Sequence, residues 1–222
     1  MRIQVAHLHK QRRVQNKLTY LMTARGIVKS YGPTSVLKGF NLSVAAGEVH
    51  AFLGGNGAGK FTFIKIISGQ IDRDGGSLEF SQNSASSSAA GLSDENTIAV
   101  VNQELALLKH LIVTENIALP RSHRGFGLFS SGEARRIAVQ ALSLIDPTFA
   151  HVLIDRLVAD LSLHERQLVV IARALDSDAS LLLLDQPTAN LTADETERLF
   201  SVIRRLTVDK GLAVLFVSHR IR

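Results

Sequence analysis

The chain has 222 residues, of which 45% are hydrophobic and 5% aromatic, and it contains neither cysteine nor tryptophan. This length accommodates one large domain or two smaller lobes, and the lack of cysteine excludes disulfides and thiolate metal sites. No apolar run approaches the roughly 20 residues that cross a bilayer, so a membrane role is expected only through a partner.

The formal net charge of +5 is concentrated at the start of the sequence. The basic residues that precede the first acid, Glu48, are Arg2, Lys10, Arg12, Arg13, Lys17, Arg25, Lys29 and Lys38. Such a start is compatible with a nucleic-acid-binding arm, a lipid-facing segment or a transit peptide. It lacks the serine content of a transit peptide and the apolar core of a secretory signal. We therefore expect residues 1–23 to be a solvated, poorly ordered extension, and we expect no nucleic-acid partner.

Short apolar segments separated by turns predict β-strands between Ala24 and Val44. A strand over Glu48–Leu53, a glycine-rich loop and a helix starting near Thr62 are predicted next. A further strand is predicted at Thr97–Val101, after the polar, low-complexity loop over residues 82–91.

The second half of the chain alternates helical and strand-like patterns. Residues 107–161 are predicted to be largely helical, and a further helix is predicted to begin at Ser162. The apolar run Leu181–Leu184, ending at Asp185, is typical of a buried parallel strand. A helix over residues 192–206 and a strand over residues 213–217 complete the pattern.

These elements predict an α/β fold. Strands that alternate with helices indicate a doubly wound sheet, and the long helical stretch in the middle indicates an inserted helical lobe at about residues 107–176. The single domain would span residues 24–222.

The stretch from Gly54 to Thr62 follows the phosphate-binding pattern of glycine, four residues, then Gly59 and Lys60. Glycines allow successive backbone N–H groups to face phosphate oxygens, and the helix that follows directs its positive end at the same anion. Lys60 would reach the β- and γ-phosphates. The next position normally carries a hydroxyl that binds Mg²⁺, but here it is Phe61.

Other candidate residues follow predicted strands, at the sheet edge where α/β proteins bind ligands. Asp185 is a candidate for holding Mg²⁺ through water, Gln103 for reaching the metal or the attacking water, and His219 for contacting the γ-phosphate. Ser162 and Glu165 match a capping box, and an exposed helix N-terminus with a serine is also able to bind phosphate.

From about Gly26 onward, the chain resembles the nucleotide-binding domain of ATP-binding cassette (ABC) transporters. Gly54–Thr62 is similar to the Walker A loop, Gln103 to the Q-loop, residues 161–167 to the signature motif, residues 181–187 to Walker B, residues 189–192 to the D-loop and His219 to the switch histidine. The resemblance implies a P-loop NTPase core with a parallel sheet, an antiparallel β subdomain and an inserted α-helical subdomain. It also implies ATP and Mg²⁺ as cofactors. It implies catalytic roles for Gln103, Gln186 and His219, metal contacts for Gln103 and Asp185, and nucleotide contacts for Tyr31, Gly54, Asn56, Gly57, Ala58, Gly59, Lys60, Phe61, Thr62 and Ser162. At Tyr31, core packing is an equally good interpretation.

Residues 102–105 and 114–117 resemble ribose-type sugar importer ATPases, in which two cassettes usually share one longer chain. This chain would then be the first cassette, ending just past His219 without the closing segments. The resemblance implies a second cassette and transmembrane permease subunits as partners, a solute-binding protein as an indirect one, and a location on the cytoplasmic face of the plasma membrane.

Three positions depart from the family's pattern. Phe61 replaces the metal-binding hydroxyl, and Thr62 cannot substitute because one residue turns about 100° around a helix. Gln186 replaces the catalytic glutamate, and loss of a general base typically costs about 10²–10⁴-fold in rate. His164 replaces a small residue, where its ring is expected to crowd the partner's nucleotide.

Two hypotheses follow from these departures. The chain is an ATPase subunit of an importer with impaired hydrolysis, or it is a non-hydrolytic nucleotide-binding module, either a regulatory cassette or a decayed fragment. The charge of residues 1–23 alone favours a third alternative, a cassette associated with nucleic acid.

Overall fold

The computed structural model describes residues 4–9, 20–55, 57–81, 98–102, 105–122, 130–176, 179–189 and 191–218. In chain order the elements are β1 (Gln4–His9), β2 (Tyr20–Tyr31), β3 (Thr34–Ala45), β4 (Val49–Leu53), α1 (Lys60–Ile67), β5 (Gly75–Phe80), β6 (Ile98–Val101), α2 (Val113–Ser122), α3 (Ser131–Ile145), α4 (Pro147–Leu153), a 3₁₀ turn (Val158–Asp160), α5 (Leu163–Leu175), β7 (Leu181–Asp185), α6 (Ala193–Lys210) and β8 (Ala213–Ser218).

The chain divides into two compact units. The first comprises Met1–Val100, Ser180–Gln186 and Arg205–Arg222, and the second comprises Val101–Ala179 and Pro187–Arg204. The second unit includes the stretch 107–176 for which an inserted helical subdomain is expected. Among the described residues, no helix has the length and apolar character needed to cross a membrane.

Two sheets and helix α1 make up most of the first unit. One sheet has the strand order β1-β4-β8-β7-β6, and the other has the order β3-β2-β5. Strands β4, β8 and β7 pair in parallel, whereas β2 pairs antiparallel with both β3 and β5. The predicted combination of a parallel α/β core, an antiparallel sheet and helices is therefore confirmed.

Aromatic packing holds α1 against strands of both sheets. The ring of Phe63 on α1 lies with its centroid 4.7 Å from that of Phe40 on β3 and 5.6 Å from that of Phe52 on β4. Phe52 and Phe63 are fully buried. Edge-to-face contacts of this kind add stabilisation beyond the burial of apolar area. They fix the position of the helix that follows the glycine loop.

The beginning of the chain differs from the expected disordered extension. Residues Gln4–His9 form β1, which pairs antiparallel with β4, and β2 begins at Tyr20 rather than at Ala24. The sequence of β1, QVAHLH, has no strict apolar–polar alternation, so this strand follows from its pairing with β4 and not from a local pattern.

The second unit contains separate helices where the sequence suggested a nearly continuous helical stretch over residues 107–161. The segment before α2 is a turn, because the Asn116 side chain accepts a hydrogen bond from Leu108 N (2.8 Å) and donates one to Leu108 O (3.0 Å). Asp146 ends α3 and caps α4, and Pro147 occupies the first position of α4. Helix α3 contacts α2, α4 and α5, which buries its apolar face.

Candidate nucleotide-binding site

The glycine loop joins β4 to α1, as the motif requires. Gly54, Gly57 and Gly59 have φ values of 148°, 79° and 91°. A side chain at Gly59 would also meet its surroundings, since a Cβ there would lie 2.7 Å from Leu37 Cδ2 and 3.1 Å from the carbonyl oxygen of Val36. Glycine at position 59 is therefore needed both for its backbone conformation and for close packing against β3.

Lys60 is the first residue of α1, and its side chain turns back into the loop. The residue is only 2% exposed. Its Nζ donates hydrogen bonds to the carbonyl oxygens of Gly54 (2.5 Å) and Gly55 (2.8 Å). Burial lowers the pKa of Lys60 below its ordinary value. The loop thus contains a buried ammonium group that donates to two backbone carbonyls.

Phe61 lies directly beside this ammonium group. The Lys60 Nζ is 5.9 Å from the centroid of the Phe61 ring, a distance typical of a cation–π contact. The ring is half-buried and packs against the apolar core of the first unit. Phe61 therefore has a packing role and a contact with the phosphate-binding lysine, neither of which follows from the loop motif. Thr62, the neighbouring hydroxyl, is partly exposed.

The register of the parallel strands brings the loop and the end of β7 to the same edge of the sheet. Leu53, the last residue of β4, is opposite Ser218 of β8, and Asp185 of β7 is opposite Val217. Gln186 follows Asp185 and donates a backbone hydrogen bond to Val217 O (3.1 Å). Strands in a sheet are about 4.8 Å apart, so the loop and Asp185 are separated by two strand spacings.

Gln186 has a left-handed backbone conformation, with φ of 48°. Outside glycine this conformation is uncommon, and it occurs more often at functional sites than elsewhere. Gln186, at the position where the resemblance implies a catalytic residue, thus has an uncommon backbone conformation directly after β7. This feature was not visible in the sequence.

Three predicted site residues, Asn56, Gln103 and His219, lie outside the described residues. Tyr31, at the end of β2, is 51% exposed, so the alternative that it packs in the core is wrong. The Lys29 ammonium lies 5.8 Å from the Tyr31 ring centroid. Tyr31 thus has an exposed aromatic face that remains a candidate for stacking on a base.

The described residues offer little for a metal ion. They contain no group of three or more His, Asp or Glu side chains placed to hold one. Asp185 is the one predicted metal contact among them, and Phe61 has no oxygen. Mg²⁺ commonly keeps several waters and uses one or two carboxylates together with phosphate oxygens. Asp185 would be one such carboxylate, and the described residues form no complete protein cage for a metal ion.

In the second unit, Ser162 caps α5 as predicted. Its Oγ accepts a hydrogen bond from Glu165 N (3.2 Å), and its own backbone N–H donates to Glu165 Oε2 (2.7 Å). This reciprocal pair confirms the capping box. His164 is 6% exposed, so its ring lies inside this unit and not at the surface, where it was expected to crowd a nucleotide.

Sequence reasoning missed two contacts around α5. Gln167 Nε2 donates to Pro187 O (2.5 Å), and both atoms belong to the second unit. Arg156 Nη1 lies 2.9 Å from Glu165 Oε1, and Arg156 Nη2 donates to Asp160 O (2.7 Å). The position of Gln167 on the apolar face of α5 could have indicated the contact with Pro187. The contacts of Arg156 depend on the tertiary fold and have no such signal in the sequence.

The geometry defines a nucleotide-binding cassette: a strand–glycine loop–helix unit in a parallel sheet, with a carboxylate two strands away. A family model described as ABC transporter matches residues 37–189, more than half of the chain. The chain therefore belongs to the ABC transporter ATP-binding family.

Sequence relatives agree with this assignment. The chain is 54% identical over 202 residues to an uncharacterized ABC transporter ATP-binding protein, y4mK of Sinorhizobium fredii, covering 91% of this chain and 40% of that protein. It is 38% identical over 204 residues to the ribose import ATP-binding protein RbsA of Chromobacterium violaceum, covering 90% of this chain and 39% of that protein. The chain thus spans about two fifths of the length of these relatives.

Solved structures show the same fold. An ATP-binding cassette of an ABC transporter in its ADP conformation matches with a TM-score of 0.75 and 26% identity, covering 92% of this chain and 83% of that one. The dimeric structure of a bacterial ABC transporter cassette matches with a TM-score of 0.70 and 26% identity, covering 90% of this chain and 88% of that one.

Proposed function

We propose that this protein is the ATP-binding subunit of an importer for a sugar or a similar small solute, in which ATP binding is retained and hydrolysis is impaired. The observation that carries the proposal is the loop around Lys60. Its glycine conformations, its buried ammonium group and its position at the sheet edge all suit a triphosphate, while Phe61 and Gln186 alter the residues expected to serve metal and base.

The importer assignment rests on relatives. Proteins 38% identical to this chain are described as ribose import ATP-binding proteins. By this similarity, the protein would pair with a second cassette, dock onto transmembrane permease subunits at the cytoplasmic face of the plasma membrane, and depend on a solute-binding protein indirectly. The cofactor would be ATP. Any Mg²⁺ bound with it would be held by phosphate oxygens and Asp185.

A non-hydrolytic regulatory cassette is the second candidate function. Gln186 favours it, because an amide is able to orient water but does not accept a proton as a carboxylate does. In this candidate function, ATP binding alone would change how the cassette pairs with its partner. Phosphate-release measurements in the presence of Mg²⁺ distinguish the two, since only the importer subunit would turn over.

The nucleotide-binding proposal is tested with a fluorescent ATP analogue and a matched pair of variants. Lys60→Ala removes the buried ammonium group, and Lys65→Ala removes an exposed one from the last turn of the same helix. Loss of a charged hydrogen-bonding group typically costs about 1.5–3 kcal/mol, so Lys60→Ala is expected to weaken binding tenfold or more. Lys65→Ala is expected to bind as the unmodified protein does. Equal binding by all three proteins would contradict the proposal.

A further inference from the structure

The residue that replaces the metal-binding hydroxyl contacts the lysine that is expected to bind phosphate. Lys60 Nζ has three interactions in the loop: two carbonyl oxygens, at 2.5 and 2.8 Å, and the face of the Phe61 ring, whose centroid is 5.9 Å away. With 2% of its surface exposed, Lys60 has little access to water. Burial disfavours the charged form, so the two carbonyl oxygens and the ring face are the interactions that offset its cost.

Phosphate binding by Lys60 would require a rearrangement of these interactions. An ammonium group has three N–H donors, and two of them are used by Gly54 and Gly55. A phosphate oxygen would replace one or both carbonyls and draw the ammonium away from the ring. Interactions that hold the ammonium group against the loop carbonyls would therefore reduce the net affinity for nucleotide, because they must be broken when it binds.

The Phe61 ring is itself fixed in place. It belongs to the first turn of α1 and packs against the core cluster that includes Phe52 and Phe63. A ring that is held by its neighbours remains beside Lys60 without further loss of side-chain freedom, which favours the cation–π contact. Position 61 thus offers an aromatic ring packed against the core and no oxygen ligand.

We propose that Phe61 positions Lys60 by holding its ammonium group against the carbonyls of the loop, and that the loop accordingly takes the metal-free nucleotide, with Lys60 as the cation that meets the phosphates. This inference rests on the proposed nucleotide-binding function and extends it to the form of the ligand. Mg²⁺ requires oxygen ligands at 2.0–2.1 Å and releases its waters reluctantly, so an apolar ring at this position offers it nothing. The free nucleotide has no such requirement.

The first arm of the test uses the unmodified protein. Binding of ATP is measured by calorimetry once with excess EDTA and once with Mg²⁺ in excess over ATP, at matched ionic strength. The expected result is an affinity without metal equal to or greater than that with metal. A tenfold gain in affinity on adding Mg²⁺ would overturn the metal-free assignment. Absence of ATP binding under both conditions would instead contradict the proposed function itself.

The second arm separates the ring from the missing hydroxyl. Phe61→Leu retains an apolar side chain of similar size and lacks the aromatic face, whereas Phe61→Ser lacks the ring and supplies an oxygen. If the ring retains Lys60, Phe61→Leu should bind ATP about two- to tenfold more tightly than the unmodified protein, equally with EDTA and with Mg²⁺. Phe61→Ser should gain affinity mainly with Mg²⁺.

A purely structural role for Phe61 gives a different pattern. Phe61→Leu would then lower the urea midpoint and leave ATP affinity unchanged or reduced, which would overturn the positioning role. A variant-free check uses NMR of the Lys60 side-chain methylenes, which the ring should shift in the nucleotide-free protein. ATP should move these resonances toward ordinary lysine positions, and unchanged resonances in the saturated complex would also overturn the proposal.

Discussion

Arg156 and Glu165 form an ion pair, with 2.9 Å between Nη1 and Oε1, that links the segment before α5 to the cap of that helix. The same Glu165 carboxylate accepts the backbone N–H of Ser162 through its other oxygen (2.7 Å). Arg166 reinforces the link by donating to the carbonyls of Val158 (3.1 Å) and Ala159 (3.0 Å). Arg156, which precedes α5, and Arg166, which belongs to α5, thus both hydrogen-bond to carbonyls of the 3₁₀ turn that leads into this helix.

The Glu165→Ala variant should destabilise the protein more than a matched change at another helix start. It removes the reciprocal cap and leaves Arg156 without its carboxylate, at an expected cost of about 1–2 kcal/mol. Glu133 occupies the equivalent position in α3, but it makes only a 4.0 Å pair with Arg136. Glu133→Ala should therefore cost less than about 0.5 kcal/mol. Urea unfolding measures both values, and similar losses would show that the Glu165 network adds nothing.

Gly57 and Gly59 should respond differently to alanine. Both have positive φ, but a Cβ at Gly57 meets nothing within 4 Å, whereas one at Gly59 would collide with Leu37. We expect Gly57→Ala to cost about 1–2 kcal/mol in the free energy of unfolding, from backbone strain alone. Gly59→Ala should cost more, because overpacking adds about 1–3 kcal/mol. The reverse order in urea unfolding would contradict the loop geometry.

His164 should make stability depend on pH in the mildly acidic range. Burial lowers its pKa below 6.5, and Arg198 acts in the same direction, while Glu195 and Glu165 oppose the shift. The folded protein therefore binds this proton less readily than the unfolded chain does. The stability contribution is complete above pH 6.5 and is lost as the pH falls below that value.

The variant His164→Leu tests this dependence. His164 Nδ1 is buried without a hydrogen-bond partner among the described residues, so leucine should be tolerated at pH 8 and should flatten the loss of stability between about pH 7 and pH 5. His151→Ala, which changes an exposed histidine of α4, should leave the slope as it is. Unfolding free energies measured across this range would contradict the prediction if both variants behaved alike.

Restoring the two altered positions together should recover more ATPase activity than the single changes predict. Phe61→Ser supplies a hydroxyl for Mg²⁺ and Gln186→Glu supplies a base, and both serve one transition state. Phosphate-release rates of the four proteins in this cycle provide the measurement. A double variant that is no faster than the unmodified protein would contradict the proposal that these two positions limit hydrolysis.

The sequence predicted the fold well where a pattern is local. The run Leu181–Leu184 and the Ser162–Glu165 pair each specify an element by themselves, through continuous burial and through capping. The division of residues 107–161 into several helices was missed, because it depends on Asn116 bonding to Leu108 and on Asp146 ending one helix while it caps the next.

For the candidate site, the sequence proposes residues, and their roles stay predictions, but it does not indicate the interactions that those residues make in the structure. The loop motif placed Lys60 and Phe61 next to each other without indicating that the ammonium turns toward the carbonyls of Gly54 and Gly55. Likewise, Gln186 was recognised as a substitution, but its positive φ follows from how the end of β7 meets β8. Such features arise from tertiary contacts, which residue identity alone does not specify.

Strand β1 protects one edge of β4, and any shortened version of the protein that lacks β1 would expose that edge. By pairing with β4, β1 gives the strand that leads into the phosphate loop a hydrogen-bonded neighbour on each side. A version beginning at Tyr20 would leave the apolar β4 as an open edge, which is a template for pairing between molecules. Shortening the chain to remove its basic start would therefore favour self-association in solution. The exposed edge would lie next to the glycine loop that follows β4.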